Sequence, residues 1–354
     1  MHQWRCLEAI FNTSLSPTGW QQAQLGLGVG GLGLRSARAH AEAAFVGCLA
    51  ENRWVDRDVK MALFAHAGIN WDNALSNQSQ RSSEVDQQLL ADLMQVVSET
   101  DKRRLQSVGS PRANGWLLAY PNRLLGMEFT DQAFRVECLR WLGEPLQPDC
   151  SNCGSCARPM SPRASHATRC KTGGDLIRRH NEVASVFFHI CESAHMHPVR
   201  EKAGLLGDAP GLRPADVFLP NVFDGRDVAI DFAVTDPLQQ SYAKKLKVGD
   251  SAAEYYAAQY KHAKYDKGFE GTNITFCAAV MDTFGAWCAE GEQIVKLGIQ
   301  RAASRVAPHN AGQYKALCWQ RISCALHRAV AKAILARLQW TGEEDDGMLD
   351  AVAF

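Results

Sequence analysis

Apolar residues recur at helical spacing through most of the first 145 positions. Residues 36–51 form an Ala-rich helical stretch. A stronger amphipathic run covers 84–108, carries Leu89, Leu90, Leu93, Met94 and Val97, and has Ser83 as its expected N-cap. Between them, 70–83 is rich in Asn, Ser and Gln and predicts a loop, an insertion or a disordered connector. A third helix is expected over 131–142, capped by Thr130 and stopped by Gly143, with Phe134, Cys138, Leu139, Trp141 and Leu142 turned inward. A polar, cysteine-bearing stretch follows, and then a helix over 175–195 burying Val183, Val186, Phe187 and Ile190.

After that helix the period changes. A short strand near 198–202 leads into two apolar strands, 215–219 and 229–234, and Pro237 ends the second because proline cannot donate to a ladder. A helix over 252–267 and a strand over 273–281 complete a small α/β unit. The remainder, including 311–339, reads as helix and ends in an acidic tail, Glu343-Glu344-Asp345-Asp346. The pattern predicts an α/β (α+β) chain with a helical beginning and end.

Each of the two apolar strands carries one aspartate, Asp216 and Asp231, and an Asp224-Gly225 turn signal lies between them. A hairpin centred on that turn sets Asp216 opposite Ala233 and Asp231 opposite Phe218, which makes the carboxylates diagonal neighbours on one sheet face. Two ionised carboxylates among Val, Ile, Phe and Leu are costly unless a cation or proton sits between them. A divalent metal satisfies both; backbone donors or arginines around a buried pair are the alternative. Nearby, Lys261 and Lys264 share a helix face and are placed to steady a phosphate or a water. Glu201 is a candidate third carboxylate, and His180-Asn181 a candidate for the same cleft.

Cys150, Cys153 and Cys156 are followed by His166 and Cys170 in a segment too polar to bury thiols as core. Cys153, Cys156, His166 and Cys170 supply three thiolates and an imidazole, which suits tetrahedral structural zinc, with Cys150 as the alternative ligand. Composition narrows the picture further. Lys plus Arg equals Asp plus Glu at 38 each, so no global positive field points to nucleic acid, but residues 151–215 carry nine basic against five acidic side chains. The first residues lack a signal peptide's apolar core and no run is long enough to span a bilayer, so a soluble, intracellular protein without a membrane partner is expected.

Taken in order, several motifs resemble the C-terminal region of non-LTR retrotransposon reverse transcriptases that carry a restriction-endonuclease-like domain. They are Gln22-Ala23-Gln24-Leu25 with Gly30-Gly31-Leu32-Gly33-Leu34-Arg35-Ser36-Ala37, the Cys/His cluster, Gly173-Gly174 with Arg179-His180-Asn181, Arg213-Pro214-Ala215-Asp216-Val217, Ala229-Ile230-Asp231-Phe232-Ala233-Val234, and Thr283-Phe284-Gly285-Ala286-Trp287. The resemblance implies a helical post-polymerase region (1–145), a zinc module (146–172), a PD-(D/E)XK nuclease core of mixed sheet flanked by helices (173–290) and a helical tail (291–354). It further implies magnesium or manganese on Asp216 and Asp231, a lysine assisting hydrolysis, and DNA contacts from Arg178, Arg179, His180 and Arg213. The expected setting is nuclear, with target DNA, the element's RNA and a polymerase in trans as partners. The lysine expected two residues after the second carboxylate is Ala233, so its role passes to Lys261 or Lys264. No Tyr-x-Asp-Asp motif occurs, so no polymerase activity is expected, and a C-terminal fragment or relic fits the pattern. The alternative function is a catalytically silent, zinc-containing nucleic-acid-binding relic.

Overall fold

The computed structural model describes residues 2–68, 78–223 and 225–338. Helices α1 (His2–Phe11), α2 (Pro17–Ala23), α3 (Ala37–Glu51), α4 (Arg57–His66), α5 (Gln78–Val96), α6 (Glu99–Val108) and α7 (Asp131–Leu142) form the N-terminal part. Hydroxyl caps set several of their starts: Ser16, Ser36, Ser98 and Thr130 each accept a hydrogen bond from the N–H three residues on. α7 stops at Gly143, whose φ of 74° suits glycine.

Three helical expectations change. The 84–108 stretch is two helices, because Ser98 caps a new start after α5 has ended. Ser83 is not a cap: α5 begins at Gln78, so 78–83 is helix where a loop was expected. Phe134 is exposed, not inward. Residues 70–77 of that expected loop lie outside the described residues, as do Asp224 and the acidic tail.

A two-stranded hairpin, β1 (Ser151–Asn152) with β2 (Pro159–Met160), holds the cysteine-rich stretch. Then come α8 (Asp175–Ser193), β3 (Val199–Arg200), β4 (Val217–Phe223), β5 (Arg226–Thr235), α9 (Gln240–Ala243), α10 (Ala252–Tyr256), a π-helical turn over Ala257–His262, α11 (Ala263–Phe269), β6 (Ile274–Asp282), α12 (Ala289–Val306) and α13 (Ala311–Leu335). The fold is mixed helix and sheet. Strand order is β3-β4-β5-β6, antiparallel up to β5, with β5 and β6 parallel. A parallel pair needs a crossover, and α9, α10, the π turn and α11 supply it.

Both faces of this sheet are covered, and the strand sequences divide between them by alternation. Val217, Leu219, Val228, Ile230, Phe232, Cys277 and Ala279 join the main core, which also holds Phe187 of α8 and Val295 of α12. Phe218, Ala229, Ala233, Phe276, Ala278 and Val280 join a smaller cluster with Ala253 and Ala257 of the crossover. The main core runs on without a break from Leu7 through Trp141 and Met160 to Leu338, and α13 packs against α7, α8 and α12. Among the described residues, no helix is long and apolar enough to cross a membrane.

Candidate functional site

The turn-centred register holds only next to the turn. Phe223 pairs with Arg226 as expected, but Leu219 pairs with Val228, Phe218 with Ala229 and Val217 with Ile230. Two extra residues are therefore accommodated in β4 between Leu219 and Phe223. The segment holds Pro220, which cannot donate to a ladder, and Asn221, whose φ is 54°. A shift of two preserves the faces but changes the partners. Asp216 is not set against Ala233 and Asp231 is not set against Phe218; continuing the observed register places Asp216 beside Asp231.

The two carboxylates are close enough to share a hydrogen bond, and their environments push them apart. Asp216 sits in the bend just before β4. Its Oδ1 lies 3.0 Å from His180 Nε2 on α8, and its Oδ2 accepts the Phe232 N–H at 2.7 Å. Burial works to raise its pKa, but the His180 contact and the Phe232 amide prevail and hold it below the ordinary carboxylate value. Asp231 shares its face of β5 with Ala229 and Ala233, and its side chain is only 10% exposed. Burial, reinforced by the Asp216 charge and only partly offset by Lys261, raises it to about 6. On acidification Asp231 is therefore the first of the two to take up a proton. His180 is raised in turn: desolvation opposes its charge, but Asp216 outweighs it.

Lys261 completes the group, with Nζ 2.7 Å from Asp231 Oδ2. The approach is off-angle, and that oxygen is left buried without a well-directed hydrogen bond. Lys261 stands in the π-helical turn, where the widened helix carries it to the sheet. π turns of this kind recur at functional sites.

The side chains of the other expected members make other contacts. Lys264 donates to the Tyr265 hydroxyl at 2.8 Å on the exposed surface. Glu201 lies next to Asp216, its N–H donating to the Asp216 carbonyl at 3.2 Å, but its exposed side chain accepts from Arg213 at 2.7 Å. Arg179 is buried and donates to the carbonyls of Thr168 and Val234, with its Nε left without a partner among the described residues. Arg178 is half-exposed and ion-paired with Asp175. His180 belongs to the carboxylate cluster.

The metal-ligand set is borne out as a grouping. Ligand atoms of Cys153, Cys156, His166 and Cys170 all lie within 4.8 Å of one another. Cys153 and Cys170 sulfurs are 3.8 Å apart, and Cys156 Sγ is 3.0 Å from His166 Nε2. Three soft thiols and one imidazole in such a knot fit zinc. Cys150 is exposed and not in the group.

Sequence reasoning did not find Arg337, which ties this knot to the rest. It is fully buried just past α13, bonds the Thr172 carbonyl at 2.6 Å, and pairs with Asp175 at 2.5 Å, while its own carbonyl accepts from Gly154 N–H. Burial works to raise the Cys170 thiol, but Arg337 and the Thr172 amide overcome it and bring it to about 6, which favours the thiolate a metal needs. Nothing in the local sequence around Arg337 announces this. His262, held between Asp266 at 2.8 Å and Glu290 at 2.7 Å, was also missed; only its four-residue spacing from Asp266 was readable.

No protein-family model matches this chain, and no curated protein matches it either.

Proposed function

We propose that the chain is a divalent-metal-dependent DNA endonuclease of the retrotransposon restriction-endonuclease-like kind, with a structural zinc module beside the nuclease core. The observation that carries this reading is the convergence of Asp216 from the bend before β4, Asp231 from β5 and Lys261 from the π-helical turn of the crossover. A mixed sheet flanked by helices is the setting that the resemblance implies.

The donor set suits a hard cation. Two carboxylates meet there, and Asp231 Oδ2 is a buried oxygen lacking a well-directed donor. Asp216 and Asp231 would hold magnesium or manganese. When bound, such an ion polarises a phosphodiester oxygen and lowers the pKa of a coordinated water. His180 fixes the Asp216 carboxylate in its ionised form and in one orientation. Below about pH 6 Asp231 must give its proton to solvent before it can act as a ligand. Lys261, released from Asp231, is then placed to neutralise charge building on the phosphate or to orient the water. In hydrolysis the water oxygen bonds to phosphorus, its proton leaves to solvent, and the departing sugar oxygen takes up a proton.

Titration of the purified chain with manganese, followed by electron paramagnetic resonance, tests the ligand assignment. Saturable binding by the wild type and none by Asp216→Asn, Asp231→Asn supports it. Equal binding by both proteins would move the reading to the silent nucleic-acid-binding alternative.

A further inference from the structure

A cleft of about 510 Å³ lies between α8, α13 and the Leu125-Gly126 turn, within the ~300–1,000 Å³ typical of ligand sites. Its α8 wall is Ile177, Arg178, Asn181 and Ser185, and its α13 wall includes Arg321 and Arg328. Neither His180 nor Asp216, Asp231 or Lys261 lines it, so the cleft is distinct from the carboxylate cluster.

Three arginines line it against one carboxylate, Glu182, which lies 3.9 Å from Lys332. Two of the three have their own anchors: Arg178 pairs with Asp175, and Arg328 donates to the Gly126 carbonyl at 2.6 Å. Arg321 differs, since its Nε is buried without a hydrogen-bond partner among the described residues. No carboxylate or carbonyl among the described residues anchors its guanidinium either, so the fork is available to an acceptor arriving in the cleft. Guanidinium forks match phosphate oxygens in pairs, and Asn181 and Ser185 add neutral donors. Ile177, 68% exposed, and Ala325 supply apolar surface for a sugar or base.

We infer that the α8–α13 cleft is a phosphate-binding groove for a nucleic-acid strand, with Arg321 as its unpartnered anchor. It contacts backbone and carries no sequence information. Because it is separate from Asp216 and Asp231, it stands whether or not the chain cuts DNA.

The test is anisotropy of a labelled single-stranded oligonucleotide with the full chain, without added magnesium, over a salt series. Arg321→Glu is expected to weaken binding by about tenfold and to lower the salt slope by about one or more, while Arg321→Lys retains most of the affinity. Lys264→Ala, at a surface lysine outside the cleft, is expected to bind nearly as the wild type does. Far-UV circular dichroism and thermal melting confirm that the variants fold. Unchanged affinity and salt slope in Arg321→Glu would overturn the inference. So would displacement of the strand by millimolar inorganic phosphate or a nucleoside monophosphate with retention of the small molecule alone, because the occupant would then be a small phosphorylated ligand.

Discussion

Asp216 stands beside Asp231, two residues away from the pairing that their turn dictates, because β4 accommodates two extra residues around Pro220 and Asn221. The even shift keeps both carboxylates on one face and turns a diagonal pair into a direct one. Their surroundings then separate them: burial raises Asp231 to about 6, while His180 and the Phe232 amide hold Asp216 low.

A pH signature of stability follows in the metal-free chain. A carboxylate whose folded pKa is raised contributes stability that is fully present below its unfolded value near 3.8 and is lost as pH climbs through about 6. Asp216 works the other way, losing its contribution on acidification, and the His180 contribution fades as pH rises through its raised value. Asp231→Asn carries no ionising group and should therefore be more stable than the wild type at pH 8, by on the order of 2 kcal/mol, with the gain vanishing near pH 4. Urea denaturation at the two pH values measures it.

The two candidate lysines should separate cleanly. Lys261→Ala removes the cation 2.7 Å from Asp231 and is expected to cut the nicking rate by about 10²–10³-fold. Lys264→Ala should change the rate by about twofold or less, since its ammonium rests on Tyr265 at the surface. Initial rates on supercoiled plasmid compare them.

Zinc is expected at about one ion per chain by plasma mass spectrometry of protein purified without added metal. Cys153→Ser or Cys170→Ser should lose it and melt several degrees lower, because the knot is bonded through Thr172 and Gly154 to Arg337. Cys150→Ser should keep its zinc and its melting temperature. Zinc lost equally from all three variants would reassign the ligands.

Much of this was readable from residue types. The α7 cap at Thr130 and stop at Gly143, the sheet strands, the Cys₃His set and Lys261 were all visible as local patterns. Long-range relationships were not. The added residues in β4 follow from how Pro220 is accommodated against a neighbouring strand, and Arg337 reaches the zinc knot across 165 residues of sequence. Arg179 looked like a surface cation because charge alone does not reveal the carbonyls of Thr168 and Val234 that bury it. Glu201 has the right residue type and its amide bonds the Asp216 carbonyl, but its side chain is paired with Arg213 at the surface.

Burial of charge also sets a stability prediction away from the site. Glu137 is wholly buried, 2.8 Å from both Arg140 Nη2 and His327 Nδ1. Glu137→Ala strands the Arg140 guanidinium and should cost about 3–5 kcal/mol of unfolding free energy. A urea midpoint close to that of the wild type would contradict this.

The most direct measurement is nicking of supercoiled plasmid by the purified chain in magnesium or manganese, beside the Asp216→Ala, Asp231→Ala double variant. Nicking by the wild type that rises as pH passes about 6 and is absent from the folded double variant is the expected result. Equal nicking by both proteins would contradict the account, as would none by the folded, zinc-loaded wild type.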